Sequence, residues 1–181
     1  MLRLALTLTA TALLAACAMQ PMATMRSYDQ AMLPAAVQVP AGNRVAMETV
    51  GVGSITYECR VKANAASEYE WFFVGPDARL MDRSGKQIGR YYGPPATWEN
   101  TDGSKLTATQ VAVSPAAAGS IPLQLVKANP AMGNGAMTGV TYIQRVSTQG
   151  GVAPAMACGG NNLGARQVVQ YQADYIFYKA M

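Results

Sequence analysis

The sequence predicts an all-β protein: a single-domain β-sandwich or flattened β-barrel of short, mainly antiparallel strands. Three observations carry that expectation. Short runs alternate apolar and polar side chains, as in "SITYECRV" at 54–61, which is the period of a half-buried strand. Turn residues such as Ser84-Gly85 and Asp102-Gly103 separate the runs, and Asp-Gly between two such runs is a strong hairpin signal. No long segment repeats its apolar residues at the helical period, and many short strands punctuated by turns build sandwiches or barrels.

The first element is not a strand. Arg3 and the terminal amine precede an apolar run, "LALTLTATALL" at 4–14, followed by Ala15 and Ala16. That run is too short for a membrane-spanning helix, which needs roughly 20 residues. Residues 1–16 therefore read as a cleaved export signal. Leu14-Ala15-Ala16-Cys17 resembles a bacterial lipobox. In lipoproteins with that pattern the cysteine sulfur takes a diacylglyceryl group and the chain is cut just before it. The expected partner is then a membrane, reached through lipid on Cys17. The alternative is an ordinary secretory signal cut beside a cysteine. Ala18, where an Asp would favour inner-membrane retention, points to the outer membrane.

Residues 17–37, rich in Ala, Met and Pro, read as a tether. Met19, Met22 and Met25 are spaced by three, and thioethers suit Cu(I). A biased linker explains the same residues, and the chain has no histidine to assist. No cofactor or metal is expected. The chain has three cysteines. With Cys17 given to lipid, Cys59 and Cys158 remain, and an even pair in an exported chain reads as a disulfide. Such a bridge closes a loop of about 100 residues, worth roughly 4–5 kcal/mol in the chain-entropy model. Loss of Arg3 with the signal leaves 13 basic residues against 10 acidic, a charge of +3. No basic cluster accompanies it, so nucleic acid is not an expected partner.

Residues 38–181 are long enough for one domain with a proper core. In "SITYECRV", Ile55, Tyr57, Cys59 and Val61 share one face. "EYEWFFV" (68–74) reads as a buried aromatic strand. "ARLMD" and "KQIGRYY" flank Arg83-Ser84-Gly85. "TWEN" and "SKLTATQVAV" flank Thr101-Asp102-Gly103. "IPLQLVKA", "TGVTYIQRV" and "ADYIFYK" supply the remaining strands. Residues 54–61 and 139–146 share a Thr-Tyr-x-x-Arg-Val pattern, which raises an internal duplication. The irregular, glycine-rich stretch 147–164 costs entropy to order, and a bond from Cys158 to Cys59 would pin it.

From Val39 to Tyr178 the chain is similar to an exported family found in bacteria and fungi, the domain of unknown function 3455. The residues that carry the likeness include "VPAG" (39–42), Tyr57, Cys59, Trp71-x-Phe73, Pro76, Asp82, Gly85, "TWE" (97–99), "DGSK" (102–105), "VTYIQRV" (140–146), Cys158 and "ADYIFY" (173–178). The family has no established activity, so the resemblance implies the extent of the domain and nothing about chemistry. Many members carry a histidine near "GRYYGPPATWE", where this chain has Tyr91. The stretch Gly93-Pro94-Pro95-Ala96 also looks one residue longer than usual.

The densest candidate site is 90–105, which gathers Arg90, Tyr91, Tyr92, Trp98, Glu99, Asp102, Ser104 and Lys105 around one hairpin. Aromatic faces with a few polar groups recognise sugars and peptides. The same residues also serve a purely structural hairpin, because turn geometry alone demands Asp-Gly. The absence of histidine excludes Ser-His, Cys-His and His-metal chemistry. No dinucleotide loop, P-loop or nucleophile elbow is present. Two functions from different classes remain. One is a non-catalytic envelope module binding a glycan, a peptide or a partner protein. The other is a hydrolase using Glu99 and Asp102 as a carboxylate pair.

Overall fold

The computed structural model describes residues 28–181. The expected signal, Cys17 and the Met19, Met22, Met25 series lie outside the described residues. Eight strands follow in order: β1 (Asn43–Lys62), β2 (Ala65–Met81), β3 (Gln87–Tyr92), β4 (Thr97–Asn100), β5 (Lys105–Ser114), β6 (Leu123–Ala128), β7 (Val140–Gly150) and β8 (Arg166–Ala180). Each strand pairs antiparallel with the next, and β8 returns to pair with β1. The all-β expectation holds. One sheet closes on itself in a ring of unequal strands, and closure pairs the two outermost strands with each other.

Side chains alternate across the sheet, so one set fills the ring. Leu80, Leu106, Met137, Ile143, Tyr175 and Phe177 are fully buried there. Aromatic rings occupy the middle: Tyr91 stacks on Trp98 at 4.5 Å between centroids, and Tyr175 lies 5.0 Å from Tyr91. Tyr175 fits because β1 carries glycine diagonal to it, at Gly51 opposite Ala173. A side chain at Gly51 would begin 2.5 Å from the Tyr175 ring. Both expected hairpins form, with Asp82 accepting from the backbone N–H of Ser84 (2.8 Å) and Lys86 (3.0 Å).

Ile55, Tyr57 and Cys59 face inward as expected, but Val61 is 42 % exposed. "EYEWFFV" is likewise not a buried strand: Phe72 and Phe73 are 44 % and 47 % exposed. The cause is topological. β8 reaches only as far as Glu58 opposite Arg166, and β3 meets β2 only from Asp77. Beyond those points β1 and β2 form a two-stranded ribbon that projects past the ring and has no opposite wall. A disulfide between Cys59 and Cys158, with Cα atoms 5.4 Å apart, ties the long β7–β8 connection to this ribbon. The Trp71 indole N–H donates to the Met156 carbonyl at 2.8 Å and adds a second tie.

Residues 28–37, read from composition as the end of a tether, pack on the ring instead. The "YIFY" run of β8 at 175–178 is apolar on both faces, and Val146, Ile176 and Tyr178 would otherwise be bare on the outside. Tyr28, Leu33 and Val39 cover them, and Val37 is fully buried. Polar groups fix the strap. Gln144 donates to the Val37 carbonyl, the Gln30 amide donates to the Tyr178 hydroxyl at 2.9 Å, and the Tyr28 hydroxyl donates to Asp174. Arg83 bridges Asp174 (3.2 Å) and Glu48 (3.0 Å) beside it.

The duplication raised by the Thr-Tyr-x-x-Arg-Val pattern does not survive in three dimensions. Tyr57 is in the interior, whereas Tyr142 packs in the outer layer. The two copies are out of phase on their strands.

Candidate functional site

Strand alternation splits the 90–105 cluster in two. Tyr91 and Trp98 point inward and are 5 % and 2 % exposed. They are core residues, not an exposed recognition platform. Arg90, Tyr92 and Glu99 point outward. Arg90 lies 5.3 Å over the Tyr92 ring, and the Tyr92 hydroxyl donates to Glu99 at 2.9 Å. That bond to Glu99, followed by burial, raises the Tyr92 pKa. Lys105 stands opposite Glu99 in the β4–β5 register. A shallow hollow of about 200 Å³ on this outer face is lined by Gln87, Arg90, Glu99 and Asn100, without Asp102.

Asp102 and Ser104 close the turn at the far end. The Asp102 carboxylate accepts from the Ser104 hydroxyl (2.6 Å), the Ser104 N–H (2.8 Å) and the Ala136 N–H (2.7 Å). Ser104 is fully buried, and its hydroxyl accepts from the Met137 N–H at 3.1 Å. These bonds, the Ser104 hydroxyl first, hold the Asp102 carboxyl below its ordinary range. A general acid for glycoside cleavage needs the opposite shift. Asp102 therefore joins two loops, while Glu99 sits apart on the outer face of β4.

A different site emerges at the end of the ring where the β1–β2 ribbon projects. A cavity of about 300 Å³ opens there, lined by Phe73, Tyr91 and Trp98 on one side. Ala96, Ala108 and Val126 leave the space, and Gln110, Gln124 and Arg145 supply polar groups. It is more enclosed than the hollows on the outside of the molecule. Phe73 forms the rim and meets Tyr57 edge-on at 6.0 Å. The Gln124 amide donates to Gln110 at 2.7 Å. The Trp98 indole N–H is buried without a hydrogen-bond partner among the described residues, a state that costs about 1–3 kcal/mol.

The electrostatics here are those of phenols around one cation. Burial pushes the hydroxyls of Tyr57, Tyr91, Tyr171 and Tyr175 upward, and the Arg145 charge opposes the shift in each. All four are neutral donors at physiological pH. Among the described residues no group of three or more metal-ligating side chains is assembled. Sequence reading missed Phe73, Ala108 and Arg145. The available signal was phase: Ile143 is inward, so Arg145 two positions later is inward too.

No curated protein and no solved structure matches the chain. The profile of a family described as "Protein of unknown function (DUF3455)" matches residues 40–179, from the turn before β1 to the last residues of β8. The match spans every strand of the ring, and the chain belongs to this family of unknown function.

Proposed function

We propose that the protein is a lipid-anchored envelope component whose ring binds a small ligand at its open end and catalyses nothing itself. The observation that carries the binding role is the cavity of about 300 Å³ behind Phe73. Eight-stranded rings are just wide enough to fill with side chains or to hold one small ligand, and ligand pockets start at about 300 Å³. That size favours a small molecule, or one residue of a glycan or peptide, over a broad protein surface. Anchoring rests on Leu14-Ala15-Ala16-Cys17, and the Cys59–Cys158 bridge fits an oxidising compartment. The outer membrane is the favoured location.

Saturation-transfer NMR on the intact chain with a set of small aromatic and aliphatic fragments tests the binding role. Binders should be lost in Ala108→Phe, which fills the cavity from β5, while the thermal transition stays in place. Fragment binding that ignores Ala108→Phe would place the site elsewhere. Cys17→Ser should move the protein from the membrane fraction to the soluble fraction; an unchanged distribution would remove the lipid anchor.

A further inference from the structure

Arg145 is the one charged side chain on the cavity wall. It stands on β7 opposite Gln124 of β6 and Tyr175 of β8. No carboxylate pairs with it among the described residues. A partly buried cation normally finds a counter-charge. On the cavity wall its polar neighbours are the Gln110–Gln124 amide pair, with no carboxylate among the lining residues.

The guanidinium is nonetheless held in place. Its Nε and Nη2 donate to the Pro122 carbonyl at 3.1 and 2.9 Å. One edge of the fork is thereby used and its plane is fixed. The Nη1–Nη2 edge has no partner among the described residues. Two parallel N–H groups on such an edge match the two oxygens of a carboxylate. Arg145 shares the cavity wall with the aromatic side chains of Phe73, Tyr91 and Trp98. A phosphate would present more acceptor oxygens than a single free edge can serve.

We propose that the cavity takes a small organic carboxylate, its anion on the free edge of Arg145 and its apolar body against Phe73, Tyr91 and Trp98. This rests on the binding role proposed above and adds the charge and shape of the ligand. The preformed fork avoids part of the ordering cost of binding.

The probes are cyclohexanecarboxylate and its neutral isostere cyclohexanecarboxamide, titrated calorimetrically into the intact chain. Emission of Trp98 is followed in a Trp71→Phe background, since the chain has two tryptophans. The carboxylate should bind saturably and at least about ten-fold more tightly than the carboxamide. Arg145→Met should erase that preference without moving the thermal transition, and Arg145→Lys should retain only part of it. Equal binding of both probes to the wild type overturns the carboxylate assignment and leaves the binding role standing. Preference that persists in Arg145→Met overturns the assignment to Arg145. Failure of the carboxylate to bind, or to shift Trp98 emission on binding, sinks the proposal, and the fragment experiment then decides whether the binding role falls with it.

Discussion

Trp98→Ala should destabilise the ring instead of silencing an exposed binding surface. Trp98 is 2 % exposed, stacked on Tyr91 at 4.5 Å and edge-on to Tyr175 at 6.0 Å. Truncating a buried tryptophan to alanine costs about 3–5 kcal/mol. Loss of the aromatic pairing, worth about 0.5–1.5 kcal/mol per pair beyond area, pushes toward the upper end. Removal of an indole N–H that has no partner among the described residues returns about 1–3 kcal/mol. The net expectation is about 3 kcal/mol. For a chain of this length that lowers the Tm by about 6–12 °C. Urea unfolding followed by circular dichroism reads the free energy, and a thermal scan reads the shift. Trp98→Phe is the control: it keeps a ring in the stack and deletes the unpaired donor, so its loss should stay near 1 kcal/mol. A Trp98→Ala protein that melts within about 2 °C of wild type would refute the packing argument, as would a Trp98→Phe protein as unstable as the alanine variant.

Three further outcomes follow from the fold. A chain starting at residue 38 should unfold at lower urea than one starting at residue 28, by about 2 kcal/mol or more, because the strap buries Val37 completely and a buried valine is worth about 1.5–3 kcal/mol; equal midpoints would reduce the strap to a passive linker. Replacing Cys59 and Cys158 together by serine should cost roughly 4–5 kcal/mol for a sequence separation of 99, and a loss under about 1 kcal/mol would place the constraint elsewhere. Tyr178 has its phenol pushed up to about 12, by burial first and by the Glu48 charge next. A raised folded value gives stability that is full below the unfolded value of about 10 and fades as pH climbs toward 12. Urea midpoints should therefore be flat up to about pH 10 and fall above it, with a shallower fall in Tyr178→Phe.

Much of the ring was legible in the sequence because local signals and global structure agree. Asp102-Gly103 and Ser84-Gly85 make the turns they announce, and Tyr57 and Cys59 lie on the face that alternation assigns. The disulfide followed from counting cysteines. Errors arose where tertiary context outweighed local pattern. Phe72 and Phe73 looked like core because strand propensity says nothing about whether an opposite wall exists. The strap at 28–37 looked like a linker because its apolar residues have no period of their own; its partner is the two-faced apolar run "YIFY" at 175–178, and reading that run as buried on both sides would have asked what covers it. Within 90–105, proximity in sequence was mistaken for proximity on one surface. Alternation sends Tyr91 and Trp98 to one side of the sheet and Arg90, Tyr92 and Glu99 to the other. The cavity itself was not legible, since Phe73, Trp98, Ala108 and Arg145 come from four strands joined only by ring closure.

That closure also sets a timetable. β1 meets β8 from Asn43 opposite Ala180 to Glu58 opposite Arg166, so the first strand made waits for the last. During vectorial synthesis the edge of β1 stays open until the final segment emerges, and contacts of such long range slow the search for the native state. The chain therefore needs shelter from self-association for nearly its whole period of emergence, and loss of β8 would bare the edges of β1 and β7 that it covers in the finished ring.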